Sequence, residues 1–266
     1  MATIFNEPYL VAAKDRYDFI LEFNKIDNKL KNEKYRPLNR TIDGKYFPVI
    51  IEKESFVTAK KLLMRFDDIF VVSYPKSGST WIREIVLRLI NDKYVASGVP
   101  QFFASPYLEC FGSKVLDMYP SPRVIKTHFN FNDCPKNNEC KYIYIIRNPK
   151  DVLINYYQYV KSNSSYCYEN GTFNDFFNHF ISSKMEFGTY FESIKSWLSY
   201  LDRPNVLFLV YEDFCKDIFS NIIRIINFIG GSIAEKYKDN NKLQIFWNEI
   251  VYYFSKHNYI QLNMEM

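Results

Sequence analysis

Paired cysteines are missing from this 266-residue chain. Cys110, Cys134, Cys140, Cys167 and Cys215 form no CxxC and leave one thiol over in any pairing, which points to a reducing compartment. His128, Cys134 and Cys140 lie near one another, but their spacing fits no usual zinc pattern, so no metal is expected. No run of about 18 apolar residues occurs, and the start, MATIFNEPYLVAAKDRYDF, has neither a positive n-region nor a long apolar h-region. A soluble, cytoplasmic protein with no membrane partner is expected. Basic blocks are missing too: the net charge is +4 and Lys and Arg are dispersed, which argues against a nucleic-acid partner. With no repeat, low-complexity linker or domain boundary, residues 1–266 are expected to form one domain.

What is abundant is apolar and aromatic: 47% hydrophobic residues, with 24 Phe and 22 Tyr. That suffices for a buried core and leaves aromatic surface for a pocket holding a flat apolar ligand. Tyr9 to Lys31 has the pattern of an amphipathic helix, and GKYFPVIIEKESF that of a turn or strand with a helix starting near Ser55. From Asp68 the chain alternates. DIFVVSYP is a strand buried on both faces, and Ile82, Ile85, Val86, Leu89 and Ile90 then recur at helical spacing. RVIKTH, KYIYIIRNP and NVLFLVYEDF are further strands. Val152 to Val160, Glu192 to Leu201 and a segment from Asp217, stopped by Gly230-Gly231, are helices. Such alternation predicts an α/β fold, a parallel sheet flanked by helices. Tyr74, Lys76, Lys126, His128, Arg147, Tyr211, Glu212 and Asp213 all fall at C-terminal strand ends, the edge where open α/β sheets bind ligands.

VVSYPKSGSTW (Val71 to Trp81) joins the first of these strands to its helix. A small-residue loop there presents backbone N–H groups and the positive end of the helix dipole. Gly78 permits close approach, Ser77, Ser79 and Thr80 add hydroxyls, and Lys76 adds a full charge, a combination suited to a phosphate or similar tetrahedral anion. The alternative is an ordinary turn with a Ser or Thr cap. The G-x-x-x-x-G-K-[ST] loop of ATPases and GTPases is absent, because the lysine precedes the glycine and there is no first glycine.

YPKSGSTW (Tyr74 to Trp81) resembles the 5′-phosphosulfate loop of the cytosolic sulfotransferases, whose usual form is TYPKSGTTW. KTH (Lys126 to His128) is similar to the segment with that family's catalytic histidine, IIRNPKDVLINYYQYVK (Ile145 to Lys161) to its 3′-phosphate segment, and VYEDF (Val210 to Phe214) to its YED segment. The resemblance covers Gly44 to Gly231 and implies a single α/β domain with a P-loop-like phosphosulfate loop. It also implies transfer of a sulfuryl group from 3′-phosphoadenosine 5′-phosphosulfate to the hydroxyl or amine of a small acceptor, aromatic or steroid-like. Lys76, Ser77, Gly78, Ser79 and Thr80 would then bind the 5′-phosphosulfate, with Trp81 and Tyr211 near the adenine. His128 would be the general base, with Lys76 and Lys126 assisting catalysis, and Arg147 would grip the 3′-phosphate. Phe102, Phe103, Tyr107, Phe129 and Tyr166 to Tyr168 would wall the acceptor pocket.

Two departures stand out. The family usually has Ser eight residues after the arginine; here Asn155 takes that place, and its amide can still donate to phosphate. Nothing after Gly231 resembles the family's Arg-Lys-Gly segment, which closes over the 3′-phosphate, or its dimerisation segment. Residues 232–266 are therefore expected to diverge, and a monomer or another oligomer is expected in place of the family dimer. Losing one or two charge-assisted hydrogen bonds of ~1.5–3 kcal/mol would weaken nucleotide binding from about tenfold to several thousandfold. The competing expectation is a catalytically impaired nucleotide-binding relative.

Overall fold

The computed structural model describes residues 7–15, 18 and 36–256. Residues 8–15 form helix α1; the rest of the helix expected to run to Lys31 lies largely outside the described residues. An antiparallel hairpin follows, β1 (Arg40–Ile42) and β2 (Lys45–Phe47), turning at Asp43-Gly44. Next come α2 (Lys53–Ala59), β3 (Ile69–Ser73), α3 (Ser79–Ile90), α4 (Tyr94–Ser97), α5 (Gln101–Ala104), α6 (Leu108–Leu116), β4 (Val124–Thr127) and β5 (Lys141–Ile146). The chain continues through α7 (Pro149–Ser162), α8 (Phe173–Ile181), α9 (Tyr190–Leu198), β6 (Val206–Val210), α10 (Tyr211–Lys216), α11 (Ile218–Ile229), α12 (Gly231–Lys236) and α13 (Asn240–Lys256).

Strands β3 to β6 form a parallel sheet in the order β4-β3-β5-β6, so the strand carrying the glycine loop lies between two partners. The period-two pleat separates two cores. Phe70, Val72, Ile125, Tyr142 and Tyr144 face α2, α6 and Trp197 of α9, while Ile69, Val71, Val124, Ile143 and Ile145 face α3, α11 and α13. Burial on both faces explains the continuous apolar runs. At the N-terminal ends of β3 and β4, Arg123 and Asp68 form a fully buried pair, with Nε to Oδ1 at 2.7 Å and Nη2 to Oδ2 at 2.6 Å. Arg123 also donates to the carbonyls of Leu63 and Leu116, so its charge is spread over fixed acceptors. The opposite end of the sheet is left for function.

Helix starts follow local chemistry. Asn148 caps α7 ahead of Pro149, Thr172 caps α8, Thr189 and Glu192 form a capping box on α9, and Asp217 caps α11. One sequence expectation is corrected: β6 ends at Val210, and Tyr211 to Phe214 belong to α10. Beyond Gly230 the chain continues as α12 and α13, with Phe246, Ile250 and Phe254 of α13 buried in the α3 core. Among the described residues no helix is long and apolar enough to cross a membrane.

Candidate functional site

The carboxyl ends of β3, β4 and β5 open onto a cavity of about 580 Å³. Lys76 and Gly78 line it from the β3–α3 loop, Ser79, Thr80 and Trp81 from the first turn of α3, Lys126 and His128 from β4 and the residue after its end, and Arg147 and Asn155 from the residue after β5 and from α7. Tyr211 completes that side from α10. Adjacent parallel strands bring these residues together across 135 positions of sequence, as the strand-end pattern predicts.

The loop departs from an ordinary capped turn. Gly78 occupies the N-cap of α3 at φ 105°, and no side chain caps the helix there. The positive end of α3 is therefore left to a ligand. A Cβ on Gly78 would stand 2.6 Å from Cδ2 of Tyr211, so the glycine serves both backbone conformation and close packing. Lys76 also adopts a left-handed conformation, φ 68°, and its Nζ lies 4.1 Å from the centre of the Tyr159 ring. Burial, then Arg147, lowers the pKa of Lys76. Ser77 does not join the wall: it is buried, and its hydroxyl has no partner among the described residues.

His128 is held by its backbone and its ring. Its N–H donates to Oε1 of Glu109 at 2.7 Å, the oxygen that also accepts from the Thr127 hydroxyl at 2.8 Å. Its Nδ1 lies 2.6 Å from the Ser73 carbonyl oxygen. A carbonyl only accepts, so Nδ1 carries the proton and, in the neutral ring, Nε2 holds a free lone pair. Burial first, then Lys126, keeps the imidazole pKa well below its ordinary value. Tyr107 and Phe187 pack against the ring, each at 5.4 Å.

Lys126 stands with Nζ 4.0 Å from the centre of the Tyr107 ring; burial, reinforced by Arg83, pulls its pKa down to about 7. The Arg147 guanidinium sits 4.1 Å from the Tyr211 ring centre, and its Nε is buried without a partner among the described residues. Tyr211 packs against Trp81 at 5.3 Å, and Trp81 against Phe254 of α13 at 4.9 Å. Asn155 lines the cavity, but its amide nitrogen donates to the Asp151 carbonyl at 2.7 Å, leaving one hydrogen for a ligand.

The remaining wall differs in part from expectation. Phe102, Tyr107 and Tyr166 line it, whereas Phe103, Phe129 and Tyr168 are turned into the core. Tyr74 is likewise buried, its hydroxyl donating to the Gly188 carbonyl. Glu212 accepts from the Asn148 N–H and Asp213 pairs with Lys216, so neither joins the cavity wall. Sequence reasoning missed Tyr159, whose place one turn along α7 from Asn155 was an available signal. It also missed Glu186, which no local pattern marks. His128, Cys134 and Cys140 make no metal cluster among the described residues.

The family model described as a sulfotransferase domain matches residues 66–266. The chain belongs to the sulfotransferase family. The family match runs past Gly231, beyond the stretch in which motifs are legible. Bovine (Bos taurus) sulfotransferase 1E1 is 33% identical over 197 residues, 70% of this chain and 66% of the relative. Mouse (Mus musculus) sulfotransferase 6B1 is 32% identical over 228 residues, 79% and 72% respectively. The chain thus spans about two thirds of the length of these curated relatives. Among solved structures, mouse sulfotransferase SULT7A1 complexed with PAP has 28% identity and a TM-score of 0.61, covering 72% of this chain and 69% of that one. Retinol dehydratase in complex with androsterone and inactive cofactor PAP, at 23% identity and TM-score 0.65 over 79% and 71%, shares the fold.

Proposed function

We propose that this member of the sulfotransferase family moves a sulfuryl group from 3′-phosphoadenosine 5′-phosphosulfate to the hydroxyl or amine of a small aromatic or steroid-like acceptor. The observation that carries the reading is His128, its Nδ1 committed to Ser73 and its ring facing the same cavity as Lys76, Lys126 and Arg147. A related mouse sulfotransferase was solved with PAP, the desulfated nucleotide, which supports the donor. The chain's own residues fit such a nucleotide: α3 presents an uncapped N-terminus, and Arg147 Nε is a buried donor without a partner among the described residues. All five cysteines are free, which supports a reducing, cytoplasmic setting.

When bound, the donor supplies the sulfuryl group and a phosphate as leaving group. His128 Nε2 takes the proton of the acceptor hydroxyl. Lys76 and the first N–H groups of α3 hold the negative charge that collects on the leaving side, and Lys126 holds the oxygens of the group in transit. Arg147 grips the 3′-phosphate with its planar fork, and Trp81 and Tyr211 flank the adenine. Gly78 and Ser79 give backbone donors, and Thr80 a hydroxyl. Ser77 stays buried behind the loop, its backbone N–H donating to the Tyr74 carbonyl.

The competing reading is a nucleotide binder without turnover. Single-turnover incubation with the donor and a panel of phenols, steroids and amines, read by mass spectrometry beside PAP binding, separates the two. Sulfated product supports transfer. PAP binding with no product from any acceptor supports the second reading.

A further inference from the structure

The cavity wall also carries a carboxylate that sulfuryl transfer does not use. Glu186 lies between α8 and α9, where an isolated bridge to Tyr46 and the Phe187 N–H bond to the Tyr46 carbonyl fasten it to the β1–β2 hairpin. It is 1% exposed, yet it lines the cavity beside Phe187, Tyr156 and Tyr166. Its Oε2 accepts from the hydroxyls of Tyr156 and Tyr166, and its Oε1 faces the Asn39 side-chain amide, which donates from 2.8 Å in the orientation that satisfies both groups. All three partners are neutral. Among the described residues Glu186 forms no ion pair, and the one cation that acts on it electrostatically is Lys126, from the same cavity.

Burying a carboxylate without a counter-charge is costly, and hydroxyl donors offset only part of that cost. Burial raises the Glu186 pKa to about 7, the mark of a charge that its surroundings leave uncompensated. A cationic ligand entering the cavity would restore the balance. Aromatic faces around a single carboxylate form the environment that favours an ammonium over a neutral group. The three cations of the cavity sit elsewhere: Lys76 against Tyr159, Lys126 against Tyr107 and Arg147 against Tyr211. They are placed for an anionic nucleotide.

We infer that Glu186 is a specificity-determining residue of the acceptor site, selecting a phenol that carries a protonated amine on a short arm. The inference rests on the sulfuryl-transfer reading for what becomes of the phenolic hydroxyl. The ammonium donates to the Glu186 carboxylate between Tyr166 and Phe187, while the hydroxyl is presented to His128.

Calorimetric titration with tyramine, 4-ethylphenol and N-acetyltyramine, with and without saturating PAP, tests this without requiring turnover. Tyramine is expected to bind about tenfold or more tightly than 4-ethylphenol, and Glu186→Gln to abolish that margin while leaving 4-ethylphenol unchanged. Equal binding of tyramine and 4-ethylphenol to the wild-type chain overturns the inference, as does a margin that survives Glu186→Gln. Should that variant fail to fold, N-acetyltyramine decides: weak binding like 4-ethylphenol supports the charge requirement, and binding as tight as tyramine overturns it. A tyramine margin without sulfated product sinks the transfer reading alone, and sulfated 4-ethylphenol without a tyramine margin sinks this inference alone.

Discussion

Nδ1 of His128 lies 2.6 Å from the carbonyl oxygen of Ser73, the last residue of the neighbouring strand. That bond fixes both the tautomer and the direction of the ring. Replacing His128 with Ala removes the base without touching the loop. The rate of the chemical step is expected to fall by about 10²–10⁴-fold. PAP affinity, measured by calorimetry, is expected to stay unchanged. Equal losses in both would assign His128 to nucleotide binding.

The titration of Lys126 gives a pH signature. Its pKa in the free chain is about 7, well under the ordinary lysine value, so its charge is lost as pH rises through about 7. The limiting kcat/KM is therefore expected to decline on the alkaline side from near pH 7, and Lys126→Gln to remove that limb together with most of the rate. His128, held well below its ordinary value, contributes no acid limb near pH 6.5. A pH profile with a single acid limb near 6.5 would contradict both assignments.

Gly78→Ala tests the loop. The new Cβ meets the Tyr211 ring at 2.6 Å in a conformation with φ 105°. A stability loss of about 1–3 kcal/mol is expected from the backbone alone. PAP binding should be lost with it. Adding Tyr211→Ala relieves the clash and not the backbone strain, so thermal denaturation of the double variant is expected to recover only part of the loss.

Arg147→Ala is expected to weaken PAP by about tenfold to a hundredfold and to leave AMP, which lacks the 3′-phosphate, unaffected. Equal losses for both nucleotides would place Arg147 elsewhere on the ligand.

Glu109 carries a stability signature. Burial raises its pKa to about 7, so between about pH 4.5 and 7 the folded chain binds more protons than the unfolded one, and this residue's contribution to stability falls as pH rises. Glu109→Gln keeps an oxygen for the His128 N–H and the Thr127 hydroxyl and removes the titration. Its melting temperature relative to wild type is expected to climb from pH 5 to pH 8. A constant difference would show that Glu109 does not titrate in that range.

Strands and loop were legible because burial on both sheet faces leaves unbroken β-branched and aromatic runs, and because a lysine, a glycine and hydroxyls between strand and helix have few structural uses. The positions of Lys126, His128 and Arg147 followed from strand ends alone. Side-chain direction in the loops did not follow. Phe103 and Phe129 carry the same chemistry as Phe102, and only tertiary packing decides which one faces the cavity: Phe129 is held against Phe56 of α2 and under Trp197, while Phe102 and Phe103 both touch Phe111 of α6 and only the first reaches the cavity. Glu186 was invisible because its role depends on Tyr46, 140 positions away, and on hydroxyls from two other segments. The motif marks Tyr211, but the apolar run of Leu207 to Val210 leads straight into it, and no local signal shows the strand giving way to α10 there.

The most direct test of the nucleotide site is calorimetric titration of the purified chain with PAP, beside Lys76→Ala and with ATP as control. Micromolar binding that Lys76→Ala weakens by about tenfold or more, with ATP weaker than PAP, is the expected result. A well-folded sample that binds no PAP, or binds it equally without Lys76, would contradict the assignment of the β3–α3 loop.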